Sequence, residues 1–183
     1  MVSRSERGEG ADAISGLAPG DPIASARSAE AIASAYTADR EIPRRTGFPF
    51  GMTVDQAREY ISERRRGWDA GRTAAFGIFD GGDRLLGSIS LLQIDWLGRE
   101  AEVAFWLARE SRGRGVATRA LQRVVSWAAE LQLSRLTATV EVTTEASRRV
   151  LERAHFAAQG LSPRNRKLHG QWIDEYVYLR KLA

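Results

Sequence analysis

A change in hydrophobic period near residue 115 limits the folds open to this chain. Before it, residues 73–80, 85–94 and 100–107 form patterns typical of three successive strands, the first two joined by a turn at 80–83. After it, apolar side chains recur three and four residues apart along 115–131, which indicates one face of a helix. Residues 136–142 then alternate as a strand. A strand–helix–strand unit pairs its strands in parallel, so we expect one parallel pair in a mostly antiparallel sheet.

The remaining segments complete a single α/β (α+β) domain. A short helix is predicted over residues 24–38, and Thr53 and Gln56 form a capping box that starts a second helix ending near residue 68. Residues 41–51 contain two prolines and two glycines and predict a loop, whose Phe48 and Phe50 either pack on the core or cover a substrate. A helix over 144–154 and strands from 156 and 172 follow. We expect residues 1–11 to be a flexible lead-in and 12–183 to be the domain.

The composition excludes several kinds of site. The 183 residues include no cysteine and only two histidines. A disulfide framework, a thiolate zinc site, a cysteine nucleophile and a histidine-rich metal centre are therefore excluded, and we expect no metal. No apolar stretch approaches about 18 residues, and the polar amino terminus lacks a signal-peptide pattern. We expect a cytoplasmic protein with no membrane partner.

The charge of the chain does not indicate a nucleic-acid partner. The net charge is +4, and the pI is near 9.9. Nucleic-acid binders collect basic residues on one face beside stacking aromatics, whereas these arginines are spread along the chain. We therefore expect no nucleic-acid partner, while a small polyanionic ligand is equally compatible with the charge.

The segment from Arg112 to Ala117 combines glycines with the start of the long helix. Gly113 and Gly115 allow a tight turn, and the helix that follows offers unpaired amide donors and the positive end of its dipole. With the charge of Arg112 and Arg114, these features predict a phosphate-binding loop. The alternative is a plain turn between a strand and a helix. The segment is neither a Walker loop nor a dinucleotide fingerprint.

Three segments in this order resemble one protein family. Arg112-x-x-Gly115-x-Ala117 resembles the signature of the GCN5-related N-acetyltransferases (GNAT), whose loop holds the pyrophosphate of acetyl-CoA. Residues 101–107 (AEVAFWL) resemble the fourth strand of the RimJ/RimL-like branch, which acetylates ribosomal-protein amino termini. Residues 147–156 (SRRVLERAHF) resemble the helix that follows the next strand of that branch. The resemblance covers residues 12–182.

The resemblance implies a GNAT fold with a central sheet of about seven strands flanked by helices, and acetyl-CoA as cofactor. It implies that pantetheine lies in a splay between two strands, where the N–H of Phe105 or Trp106 faces the thioester oxygen. The implied cofactor-binding residues are Phe105, Trp106, Leu107, Arg112, Gly113, Arg114, Gly115, Val116, Ala117, Thr144 and Ser147.

The chain departs from the family pattern at three positions. Thr144 replaces an asparagine that holds the pantetheine arm or caps the helix, and a threonine can still cap. Ala104 and His155 each replace a glycine. We expect His155 to reduce local backbone freedom rather than to add chemistry, with a role in the site as the alternative.

The resemblance also implies catalytic roles. Glu102 matches a glutamate that deprotonates the amine through water, although a structural ion pair with an arginine is equally compatible. Glu100 and Glu141 are the reserve bases. Ser147 matches the serine that protonates the thiolate, with a local hydrogen bond as the alternative. Tyr176 and Tyr178 could replace it.

We therefore predict an N-acetyltransferase that moves acetyl from acetyl-CoA to a primary amine by direct attack in a ternary complex. The acceptor is either a protein N-terminal α-amine or a small amine such as an antibiotic or peptide metabolite. The alternative function is a catalytically weak sensor that binds acyl-CoA. We expect a monomer or a homodimer.

Overall fold

The computed structural model describes residues 26–182. The elements are α1 (Ala26–Ala38), α2 (Glu41–Thr46), α3 (Val54–Asp69), β1 (Ala74–Phe79), β2 (Leu85–Asp95), β3 (Glu100–Leu107), a 3-10 turn (Arg109–Ser111), α4 (Val116–Glu130), β4 (Arg135–Glu141), α5 (Glu145–Arg153), β5 (Ala157–Leu168) and β6 (Gln171–Lys181). The expected lead-in over residues 1–11 lies outside the described residues. Across residues 26–182, no helix is both long and apolar enough to cross a membrane.

The strands form one mixed sheet with the order β1-β2-β3-β4-β6-β5. The β3–β4 pair is parallel and the other neighbours are antiparallel. The mixed, mostly antiparallel sheet is therefore confirmed. The described part of the chain has six strands rather than about seven, because the whole segment between residue 26 and β1 is given to three helices and their links.

The prediction of a loop over 41–51 was wrong for its first half, which forms α2. Pro43 lies in the first turn, where a backbone N–H would have no helical partner, so proline is tolerated there. The Asp39 carboxylate accepts a hydrogen bond from the Glu41 N–H at 3.0 Å, and burial of Ile42 and Pro43 holds the helix against the protein. The helix ends at Gly47, whose φ of 80° suits glycine.

Each face of the sheet carries its own core. On one face, Val103 of β3 packs in a cluster with Leu121 of α4 and Leu151 of α5. On the other face, Ile32 of α1 and Tyr60 of α3 belong to a second cluster, against which Trp106 of β3 packs. Alternation along the strand puts Glu102 on the same face as Trp106. The two faces of β3 therefore look toward different sets of helices.

Candidate active site

The strands β3 and β4 diverge in the middle of the sheet. They pair over three positions, from Glu100 opposite Arg135 to Glu102 opposite Thr137. Beyond that point, β3 stays paired with β2 as far as Leu107, and β4 stays paired with β6 as far as Glu141. We call the gap between residues 103–107 and 138–141 the opening. The opening corresponds to the splay between two strands that the family resemblance implies. The strand edges along it have no partner strand there, so they can hydrogen-bond to the amides of a bound extended molecule.

The backbone amide of Phe105 points into the opening. The Ala108 N–H donates to the Leu86 oxygen at 2.9 Å, which directs the amide of Ala108 toward β2. Successive N–H groups along an antiparallel strand point to opposite edges of the strand. The N–H of Trp106 therefore also points toward β2, and the N–H groups of Phe105 and Leu107 point into the opening. Of the two amides expected near the thioester oxygen, this geometry favours Phe105.

The loop from Arg112 to Ala117 presents unpaired amides at the start of α4. Gly113 and Gly115 have φ values of 74° and 76°, in the left-handed region that favours glycine. Gly115 is the N-cap and supplies no side-chain cap. Among residues 26–182, the N–H groups of Gly113, Arg114, Gly115 and Val116 have no backbone acceptor. These donors and the helix dipole suit a phosphate group.

The side chain of Arg112 is held by protein groups. Its Nε and Nη2 donate to the Leu107 oxygen at 3.2 and 2.9 Å, and its guanidinium also pairs with the buried carboxylate of Asp39. Arg112 therefore joins the end of β3 to the turn between α1 and α2. Arg114, by contrast, is exposed on the loop, and its side chain is free to add charge beside the amides.

Of the three candidate bases, only Glu102 lacks an arginine partner among the described residues. Thr139 of β4 donates to its Oε1 at 3.1 Å, and the carboxylate is half-buried. Glu100 pairs with Arg135 where β3 begins. Glu141 lies at the carboxyl end of β4, 3.5 Å from Arg44 and 3.2 Å from Arg45 of α2.

The ion pairs of Glu141 make it a poor base. Burial by itself would raise the pKa of Glu141, but hydrogen bonds from Thr143 and Arg45 and the charges of Arg44 and Arg45 hold it below its ordinary value. A carboxylate stabilised in this way keeps its charge and has little tendency to accept a proton. Glu141 therefore serves in structural ion pairs. Among the three candidate bases, Glu102 is the one whose carboxylate has no arginine partner in the described residues.

The start of α5 lies beside the opening and carries Ser147. Ser147 is half-buried in the first turn, and its hydroxyl has no hydrogen-bond partner among residues 26–182. Thr144 occupies the N-cap position that a threonine can fill, but its side chain makes no cap hydrogen bond. The Thr144 hydroxyl instead accepts from Arg45.

The two candidate tyrosines differ in their surroundings. The Tyr178 hydroxyl donates to Glu152 of α5 at 3.1 Å, and burial together with that carboxylate raises the pKa of Tyr178. Tyr176 is half-buried, with the Arg148 guanidinium 5.2 Å from its ring centre. Tyr178 is therefore held by a partner, whereas the Ser147 hydroxyl is not.

The sequence also matches a known family over most of its length. A family model described as "Acetyltransferase (GNAT) domain" matches residues 22–157. The chain belongs to the GNAT acetyltransferase family. The Bacillus subtilis protein named "Probable N-acetyltransferase YjcK" is 36% identical over 128 residues, which cover 68% of this chain and 71% of the relative.

Two further GNAT proteins agree with this assignment. Ribosomal-protein-serine acetyltransferase of Escherichia coli is 29% identical over 99 residues, covering 54% of this chain and 55% of that protein. The structure of Mycobacterium smegmatis RimJ in complex with CoA-disulfide superposes with a TM-score of 0.81 at 25% identity, covering 88% of this chain and 80% of RimJ. The predictions of the family, of an N-acetyltransferase and of acetyl-CoA as cofactor are confirmed.

The departure at His155 has a structural cost in this GNAT domain. His155 follows α5 with a φ of 60°, a conformation that glycine adopts freely and a side chain with a Cβ does not. The residue is exposed, and no hydrogen bond of its ring is found among residues 26–182. His155 therefore restricts the backbone at this position, as expected from the replacement of a glycine.

Sequence reasoning missed the contacts that three residues make at this site. Thr139 holds the proposed base, Asp39 holds Arg112, and Arg45 holds both Glu141 and Thr144. Each contact joins residues far apart in the chain: 37 positions for Thr139, 73 for Asp39 and 96 or 99 for Arg45. No spacing rule connects such residues. The only signal available was that Thr139 is a polar residue on the face of β4 opposite its buried positions, Leu136, Ala138 and Val140.

Proposed function

We propose that this GNAT protein acetylates a primary amine by direct attack of that amine on acetyl-CoA within a ternary complex. The observation that carries the proposal is the opening, which leaves the Phe105 amide free beside the unpaired amides of the 112–117 loop. The acceptor is a protein α-amine, as the name of the Escherichia coli relative indicates for that protein, or a small amine.

The residues present fit the cofactor. The amides of Gly113, Arg114, Gly115 and Val116 and the exposed charge of Arg114 suit a pyrophosphate. Val116 and Ala117 begin the helix that directs those amides, and the edge of β3 from Phe105 to Leu107 suits the amides of pantetheine. Acetyl-CoA supplies the acetyl group as an activated thioester.

The chain's own groups then divide the work. The Phe105 N–H stabilises the negative charge that develops on the carbonyl oxygen, and one such donor is typically worth about 2.7–4 kcal/mol. Glu102 takes the proton of the amine through a water molecule, since it is the candidate carboxylate without an arginine. Ser147 gives a proton to the departing thiolate, because its hydroxyl is not engaged elsewhere in the described chain, and it regains a proton through water from Glu102, which restores both side chains.

The proposal is tested with Glu102→Gln, which keeps the shape of the side chain and removes the base. We expect kcat to fall by about 10²- to 10⁴-fold, as is typical for loss of a general base, with the Kd for acetyl-CoA unchanged. Glu100→Gln is the matched control on the same strand and should keep its kcat. Isothermal titration gives Kd, and release of free thiol gives the rate without background from a chain that contains no cysteine.

Other outcomes would contradict the proposal at different levels. Equal kcat values for the two variants would remove Glu102 as the base. Acetyl-CoA binding by the wild type without turnover of any amine would favour the acyl-CoA sensor instead. A folded wild-type protein that fails to bind acetyl-CoA would overturn the proposed reaction altogether.

A further inference from the structure

The short helix α2 is tied to both borders of the opening. Just before it, Asp39 pairs with Arg112, whose guanidinium is bound to the end of β3. Near its end, Arg45 pairs with Glu141 at 3.2 Å and donates to Thr144, at the end of β4 and the start of α5. A helix of six residues therefore carries one ionic contact to each border.

Both contacts lie at the wide end of the opening. In an extended strand the C=O of a residue points to the same edge as its N–H, and the Leu107 N–H points into the opening. The Leu107 oxygen, which accepts from Arg112 at 2.9 Å, is therefore on the edge of β3 that faces β4. Glu141 is the last residue of β4. In residues 26–182, no backbone hydrogen bond joins 103–107 to 138–141, so α2 links these two strand ends through side chains.

The carboxylates at the two ends of α2 are largely buried. The side chains of Asp39 and Glu141 are 9% and 13% exposed, and Glu141 also lies 3.5 Å from Arg44. A buried carboxylate that loses its cation is left as an uncompensated charge, so these pairs resist opening. The middle of the helix is fixed as well, because the Pro43 oxygen is 2.9 Å from Nε2 of His169, in the turn between β5 and β6.

The two borders carry groups that act on one thioester. The Phe105 N–H, which we assign to the thioester oxygen, is on β3 two residues before Leu107. Ser147, which we assign to the thiolate, is three residues after Thr144 at the start of α5. The oxygen and the sulfur are bonded to the same carbon, so both groups reach their atoms at only one separation of the borders. A misplacement of about 1 Å can lower a rate by about 100-fold.

We propose that residues 39–46 form a strap that fixes the separation of the two borders, with Asp39 and Arg45 as the positioning residues at its ends. Asp39 acts on the strand that carries Phe105, and Arg45 acts on the start of the helix that carries Ser147. The two links work in series, so the loss of either releases the strap. The inference rests on the proposed function and deepens it, because it says what aligns the two groups.

The first test measures the separation of the borders in the folded protein. The chain has no cysteine, so Glu110→Cys after β3 and Ala146→Cys in α5 place two spin labels at exposed positions, one on each border. Double electron–electron resonance gives the distribution of distances between them. We expect a narrow distribution in this background and a broader one after Asp39→Asn or Arg45→Met. The combined variant should be no broader than either of these, since the strap is already released.

The second test measures turnover at saturating acetyl-CoA, as release of free thiol with the amine that the wild type acetylates or with water as acceptor. Assays run where circular dichroism shows every variant folded, which removes effects that act only through stability. Asp39→Asn and Arg45→Met should each lower kcat by about 10-fold, and the combined variant by about the same factor rather than by about 100-fold, the product expected for independent sites. The Kd for acetyl-CoA should change by no more than about twofold, because the amides of the 112–117 loop are intact.

Asp55→Asn is the matched control, because it removes an exposed carboxylate that pairs with Arg58 on α3, and it should leave both measurements as in the wild type. If Asp39→Asn does not fold, Arg112→Gln breaks the same link and takes its place in both tests.

An unchanged distance distribution in either single variant would overturn the strap, and so would effects on kcat that multiply. Broader distances with an unchanged kcat would overturn the positioning role, since α2 would then support the fold alone. A wild type that transfers acetyl neither to an amine nor to water would contradict the proposed function instead, and the measured distances would still test the strap.

Discussion

The 112–117 loop and the junction between β4 and α5 border the same opening, yet they are built in different ways. The turn from Gly113 to Val116 is made by neighbours in sequence: two glycines with positive φ, and Arg119 donating to the Arg114 oxygen at 3.1 Å. Only Arg112, at the start of the loop, is held from a distance, by Asp39. The junction is held from a distance, because Arg45 of α2 binds Glu141 and Thr144 across 96 and 99 positions. The phosphate-binding turn therefore depends on local backbone conformation, whereas the junction depends on ion pairs between distant parts of the chain.

Substitutions in the loop and in the junction should therefore change different measured quantities. Damage to the loop should weaken acetyl-CoA binding, since the free amides lose their direction while the rest of the fold is untouched. Damage to the junction should lower the free energy of unfolding, since the contact joins separate elements and is sensitive to pH. Three substitutions, taken from the largest expected effect to the smallest, can break or sharpen this contrast.

The largest effect is expected for Gly115→Ala. A Cβ at this position would adopt a φ of 76° and would lie 3.0 Å from Nη1 of Arg119. A side chain in the left-handed region costs about 1–2 kcal/mol. If the loop turns its amides to relieve that strain, the Kd for acetyl-CoA should rise about 5- to 30-fold, measured by isothermal titration. Gly81→Ala, at a turn glycine with open space and no positive φ, is the matched control. An unchanged Kd would mean that the amides are not the phosphate site.

An intermediate effect is expected for Arg45→Met at the junction. The pair with Glu141 is half-buried, so its loss should lower the free energy of unfolding by about 1–2 kcal/mol, between the values for exposed and buried pairs. Denaturant unfolding measures this, with the exposed Arg40→Met as control. The Kd for acetyl-CoA should stay within about twofold of the wild type, because the loop is intact.

The same substitution predicts a pH dependence. The folded-state pKa of Glu141 lies below its ordinary value of 4.5, so its contribution to stability is present above that pH and is lost as the pH falls through the folded pKa. Arg45 also pairs with Glu41 at 3.0 Å, and hydrogen bonds from Arg44 and Arg45 hold the pKa of that carboxyl below its ordinary value as well. The stability gap between the wild type and Arg45→Met therefore reports both carboxylates, and it should be full at neutral pH and close in acid. A gap that persists below the folded pKa would show that Arg45 acts by packing rather than by charge.

The smallest effect is expected for His155→Gly at the other end of α5. Glycine would relieve the strain of a φ of 60° but would lose more entropy on folding. The net gain should be no more than about 1 kcal/mol, or about 2–4 °C in Tm for a domain of this size. His155→Ala, which keeps the Cβ, should show no such gain. A loss of stability in His155→Gly would mean that the imidazole makes a contact of its own.

The fold was predictable where a pattern is local. The period of α4, the alternation of β4 and the capping box of Thr53 and Gln56 each depend on residues within one element, and all three were confirmed. The prediction failed at α2, where Pro43 and the glycines favoured a loop. Two contacts hold that segment as a helix: the Asp39 carboxylate accepts from the Glu41 N–H, and Ile42 is buried. The burial depends on a surface that the rest of the fold provides.

The candidate site divides in the same way. The sequence alone determined the glycine loop, the family and the chemical types at Glu102 and Ser147, because those features are set by residue identity and short spacing. Only the tertiary structure decided that Arg112 is bound to Asp39, and that Glu141 pairs with two arginines while Glu102 pairs with none among the described residues. The physical reason is that a charged side chain pairs with whichever opposite charge lies near it in space. Strand order and helix packing determine which residues are near each other, and the spacing of residues along the sequence does not reveal it.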